Sequence, residues 1–189
     1  MGLMIHSLGE LPISAGRGYY VYVLDYGWKG PLSHILADNF EKMADLASKT
    51  DAVVLRGTVG SHFVDEVLSW HHVNGEPSKG LLPGLLITTR HPRDFRDRMP
   101  GNHHKRVAPE DRMLLVPLGK LCKSASDAIA VIDKIFTDIR ERKALPDFEV
   151  ARMRKKGVDG ALVDALILQP NIAGIGIDLK AIFAFFKAK

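Results

Sequence analysis

With one cysteine in 189 residues, Cys122, the chain has no intrachain disulfide framework and suits a reducing compartment. No apolar run approaches the roughly 18 residues of a membrane span. The first eight residues lack the basic and long apolar regions of a secretory signal, so a cytoplasmic protein with no membrane partner is expected. Neither charge sign dominates: 26 Lys plus Arg against 22 Asp plus Glu leave +4, a mild attraction for anions. Internal repeats and low-complexity segments are absent too. A hydrophobic share of 46% with 25% charged residues argues against wholesale disorder and for one globular domain over 1–189.

What the chain does have is a rhythm of β-rich apolar runs at 19–25, 51–56, 85–89, 113–118 and 165–169, separated by helix-like stretches. Strands alternating with helices imply parallel pairing, because a parallel partner is reached only through a long crossover. The expected fold is therefore three-layer α/β/α with a mainly parallel five-stranded sheet, flavodoxin-like or Rossmann-like. Residues 1–18, dense in glycine, read as a flanking strand at 3–8 and a loop. Pro31, Leu32, Ile35, Leu36, Phe40, Met43 and Leu46 predict one amphipathic helix over 31–48. The stretch 124–127 offers two serines as caps for a helix running to about residue 143. Pro92, Pro100 and Pro109 make 90–112 a long polar excursion. A polar turn at 74–80, a basic connection with a turn or two of helix at 147–160 and a C-terminal helix at 178–189 complete the plan.

Parallel strands gather their following loops at one edge, where such folds place ligands. Four loops are expected there: 26–30, 57–61, 90–95 and 119–126. Gly57, Thr58, Gly60 and Ser61 lead into a helix capped by Ser61, whose first-turn N–H groups suit phosphate or carboxylate. Arg90 and Arg93 bring forked guanidinium groups suited to the same anions, and Lys120 adds a cation. Neither a Gly-Lys-Ser/Thr phosphate loop nor a Gly-x-Gly-x-x-Gly fingerprint occurs. Glu66 lies one turn into the helix after Ser61, where its carboxylate is expected to face the same cleft. His91 is the expected general acid or base, having an ordinary pKa near neutrality. Cys122, between Lys120 and Lys123, is a candidate thiolate that lacks an evident base. The adjacent pairs His71-His72 and His103-His104 have no metal-ligand spacing, so no metal is expected.

The layout of Thr50-Asp-Ala-Val-Val-Leu55, a short polar turn with serine, then Asp65, Glu66 and Trp70 on the next helix resembles the region around the catalytic glutamate of TIR-type NAD hydrolases. It is also similar in outline to the nucleoside deoxyribosyltransferases. Both groups use a glutamate at the ribose side of a glycosidic bond, and the resemblance implies that role for Glu66. It names no cofactor.

The expected function is binding of a nucleotide or phosphorylated small molecule, with glycosidic-bond cleavage as the sharpest enzymatic form. One alternative is a noncatalytic module that docks a protein partner or a second copy through the apolar tail and the 90–112 excursion. Another is nucleic-acid binding through the basic segments 90–106 and 152–156, which carry no interleaved aromatics.

Overall fold

A computed structural model describes residues 1–14, 16–27, 30–71, 82–96, 112–152, 154–156, 162–164 and 166–168, with side chains as far as Arg152. Six strands form one sheet: β1 (Gly2–Ile5), β2 (Tyr19–Leu24), β3 (Ala52–Gly57), β4 (Gly84–Thr88), β5 (Met113–Pro117) and β8 (Leu166–Leu168). Their order is β1-β3-β2-β4-β5-β8. A separate two-stranded ribbon pairs β6 (Arg154–Lys156) with β7 (Leu162–Asp164) antiparallel. The basic connection expected at 147–160 is thus partly strand.

The fold is mixed α/β, and the expectation of a mainly parallel sheet is corrected. β3 runs parallel to β1 and β2, whereas β4 is antiparallel to both β2 and β5, and β8 is antiparallel to β5. The segment between β3 and β4 is long enough to return the chain to the edge at which β3 ended. β4 therefore starts where β2 finishes, with Gly84 opposite Leu24 and Thr88 opposite Tyr20. A central strand covered on both faces reads as a continuous apolar run in either direction, so the sequence of β4 carries no sign of its orientation.

β2 shows why the sheet is buried on both sides. Tyr19, Val21 and Val23 enter one apolar core, and Tyr20, Tyr22 and Leu24 enter the other. The first core is closed by α1 (Pro31–Asp38), α2 (Phe40–Ser48), α6 (Ala125–Arg140) and α7 (Glu149–Arg152). The second is closed by α3 (Phe63–Trp70), α4 (Pro92–Arg96) and a 3-10 turn at Leu8–Glu10. Burying a large apolar side chain contributes roughly 1.5–3 kcal/mol, which makes these two layers the main source of stability.

The helix expected over 31–48 is two helices, broken at Asn39 (φ −95°, ψ 4°), whose side-chain amide donates to the Ile35 carbonyl at 2.9 Å. An asparagine that bonds the preceding turn competes with helix continuation. Ser124 caps α6: its hydroxyl accepts from the Asp127 N–H at 3.2 Å, and the Asp127 carboxylate accepts from the Ser124 N–H at 3.2 Å. α6 ends at Arg140, three residues before the expected limit. A short helix, α5 (Leu118–Leu121), follows β5 directly. The polar turn at 74–80, most of the 90–112 excursion and the helix at 178–189 lie outside the described residues. Among the described residues no helix is long and apolar enough to cross a membrane.

Candidate functional site

Strand direction sorts the candidate residues. β1, β2, β3 and β5 end at one edge, here the carboxyl edge, and β4 ends at the opposite, amino edge. The loops at 26–30 and 57–61 and the segment from Gly119 therefore share the carboxyl edge. Arg90, His91 and Arg93 follow Thr88 at the amino edge, beside the start of β2. The expected convergence of four loops is reduced to three, and Arg90 and His91 do not meet Lys120 across one pocket.

Glu66 and Arg93 are drawn to a third element, the crossover from β1 to β2, and His91 lies against it. This segment descends the second face from one edge to the other, with Leu8 and Leu11 buried in the core. At its upper end the Ser7 hydroxyl donates to Glu66 Oε1 at 2.7 Å and the Leu8 N–H donates to Oε2 at 2.8 Å. The Gly9 N–H completes the turn by donating to the Ser7 hydroxyl at 3.1 Å. Lower down, Arg93 Nη2 donates to the Gly9 carbonyl at 2.9 Å. The Arg93 N–H donates to His91 Nδ1 at 3.3 Å, which leaves the neutral ring's proton on Nε2. That ring packs edge-on against Tyr20, with centroids 5.6 Å apart, and lies beside the Pro12 carbonyl, although Nε2 makes no hydrogen bond of good geometry. Burial holds the His91 pKa below its ordinary value, opposed by the Pro12 carbonyl and Asp94 and reinforced by Arg93.

The turn at 57–61 is closed on itself. A Cβ on Gly57 would lie 2.4 Å from Phe63 Cβ, so only glycine lets β3 and α3 approach this closely. Gly60 has φ +79°. The Thr58 N–H donates to the Ile5 carbonyl at 3.0 Å, and both the N–H and hydroxyl of Ser61 turn back to the Thr58 carbonyl, at 3.1 and 2.7 Å. The expected Ser61 cap is therefore corrected: His62 occupies the cap position and its side chain makes no capping bond. Thr58 Oγ1 lies 3.3 Å from His6 Nδ1. Lys120 sits on α5, where burial lowers its pKa, and Cys122 is buried at the end of that helix. His71 is fully buried, with Nδ1 2.8 Å from the Val67 carbonyl and Nε2 3.2 Å from the Tyr22 hydroxyl, a core polar pair. Among the described residues no group of three or more His, Cys, Asp or Glu side chains is placed to hold a metal.

The carboxyl edge does hold a cavity, of about 340 Å³, lined by Asp25, Tyr26, Gly30 to Ser33 and Leu82-Pro83. It lies where β2 ends, α1 begins and β4 starts. Its walls are largely apolar, supplied by Pro31, Leu32, Leu82, Pro83 and the Tyr26 ring. Asp25 is the charged exception. Its Oδ1 accepts from the Gly27 N–H at 3.0 Å and the Ser33 hydroxyl at 2.9 Å, which fills that oxygen's two acceptor positions. Its Oδ2 has no hydrogen-bond partner among the described residues. The Tyr26 hydroxyl donates to Asp65 Oδ1 at 2.6 Å, tying the rim of the cavity to the first turn of α3. Sequence reasoning placed the 26–30 loop at this edge but passed over Asp25. The available signal was a carboxylate that ends the longest β-rich run, two residues before Gly27.

No family model, curated protein or solved structure matches the chain, so the resemblance to the NAD hydrolases and deoxyribosyltransferases stands on 50–70 alone.

Proposed function

We propose that this chain is a small-molecule-binding α/β domain whose ligand carries a ribose, as nucleosides and nucleotides do, and enters the cavity at the carboxyl end of β2. The observation that carries this reading is the half-engaged carboxylate of Asp25. Oδ1 is fixed by Gly27 and Ser33, so the group is held in one orientation, and Oδ2 offers two acceptor positions to a pair of hydroxyls. The apolar walls and the Tyr26 ring suit a flat base. A volume of about 340 Å³ falls within the usual range for ligand cavities, about 300–1,000 Å³. Titrating adenosine, its monophosphate and NAD by calorimetry tests it. Saturable binding that weakens about tenfold or more in Asp25→Asn is expected, since a charge-assisted hydrogen bond contributes about 1.5–3 kcal/mol. Absence of binding by all three compounds contradicts it.

Glycosidic-bond cleavage is the role the resemblance at 50–70 implies for Glu66, which is not among the described residues lining this cavity, and it requires Ser7 and Leu8 to release the carboxylate they now hold. The discriminating assay is incubation with NAD and deoxynucleosides. Turnover by the parent chain that Glu66→Gln abolishes while leaving ligand binding intact supports the enzyme. Binding without turnover supports a binding domain.

A further inference from the structure

A second cavity, of about 310 Å³, opens at the amino edge between the carboxyl ends of α2 and α6, lined in part by Lys49, Asp51, Arg140 and Arg142. The end of α6 is closed by its own backbone. The Lys143 N–H donates to the Asp138 carbonyl at 3.1 Å and the Arg142 N–H to the Ile139 carbonyl at 3.0 Å, the paired bonds of a Schellman turn. That turn needs a left-handed residue just past the cap. Here it is Arg142, at φ 54°, in a position that glycine fills without steric cost. An arginine thus stands where the backbone disfavours it, while the Asp138 and Ile139 carbonyls are already satisfied by the turn.

The neighbouring cations are engaged: Lys143 pairs with Asp138 and Glu141, both at 2.7 Å, and Lys49 pairs with Asp45 at 2.6 Å. Arg140 and Arg142 form no ion pair or side-chain hydrogen bond among the described residues. Two arginines without ion pairs and one lysine therefore share the lining with a single carboxylate, Asp51. We propose that this cavity binds a diphosphate-type anion, with Arg140 and Arg142 each offering a planar fork to phosphate oxygens. The site is separate from the ribose cavity, at the other end of the sheet, and neither proposal depends on the other.

Arg142→Gly gives the proposal two readouts that move in opposite directions. The variant is expected to melt about 2–4 °C higher, because the left-handed backbone is relaxed. Its affinity for inorganic pyrophosphate, titrated by calorimetry at low ionic strength, should fall about tenfold or more. Arg140→Ala should lose similar affinity with no rise in melting temperature, and Asp25→Asn should bind pyrophosphate as the parent does. Competition with ADP distinguishes the source: displacement of pyrophosphate assigns a nucleotide, and failure to displace it assigns the free anion. Absence of saturable pyrophosphate binding by the parent, or binding unchanged in both arginine variants, overturns the proposal.

Discussion

Two carboxylates at the carboxyl edge, Glu66 on α3 and Asp25 at the end of β2, differ in what their oxygens touch. Glu66 has both engaged, one by the Ser7 hydroxyl and one by the Leu8 N–H, and so fastens the β1–β2 crossover to α3. Asp25, which lines a cavity, has one oxygen doubly engaged and the other without a hydrogen-bond partner among the described residues. A carboxylate whose acceptor positions are filled by its own chain holds structure, whereas one fixed through a single oxygen is oriented and still able to accept a ligand. Residue type and place on the chain are similar in the two cases. The local donors set the difference.

That contrast is broken or sharpened by substitution. Glu66→Ala should cost the most, about 3 kcal/mol in urea unfolding, because two charge-assisted bonds are lost and the crossover end is left unpaired. Gly57→Ala should cost about 2 kcal/mol by overpacking against Phe63 and Ser61. It should also push α3 from the crossover, weakening the Glu66 contacts without touching Asp25. Asp25→Asn should cost under about 1 kcal/mol, since the bonds it makes are local and reached by solvent.

The smallest effect is a slope. His91 holds its proton less firmly in the folded chain than in the unfolded one, mainly through burial, so the unfolded state takes up more protons as the medium becomes acidic. Its contribution to stability is complete above its ordinary pKa of about 6.5 and declines as the pH falls from there toward the lower folded value. Unfolding midpoints measured from pH 7.5 to 5 should show that decline, and His91→Phe should flatten it. A midpoint that rises on acidification contradicts the placement of His91 against the crossover.

Much of the fold was legible because apolar patterning reports burial directly. The runs at 19–25, 51–56, 85–89 and 113–118 all appear as central strands, and the start of α6 was visible in two candidate capping serines, of which Ser124 is the one used. Strand direction was not legible. The sequence of β4 satisfies either orientation, and that one ambiguity moved Arg90, His91 and Arg93 to the far edge. The break at Asn39 was hidden because both halves of the 31–48 stretch keep the same buried face. Charged residues gave the least guidance. Glu66 stood out for its helix position, yet its role depends on donors 59 and 58 residues away, at Ser7 and Leu8. Asp25 was unremarkable as a residue and is set apart only by what Gly27 and Ser33 do to one of its oxygens. Arg142 is distinguished by a backbone angle that no composition reveals.

The most direct test of the contrast exchanges the two acids in turn for amides and measures adenosine monophosphate affinity and urea midpoint on each variant. Asp25→Asn should lose affinity and keep the parent's midpoint within the limit given above, and Glu66→Gln should lower the midpoint and keep the affinity. The reverse assignment, with ligand binding lost at Glu66 and stability lost at Asp25, contradicts the account.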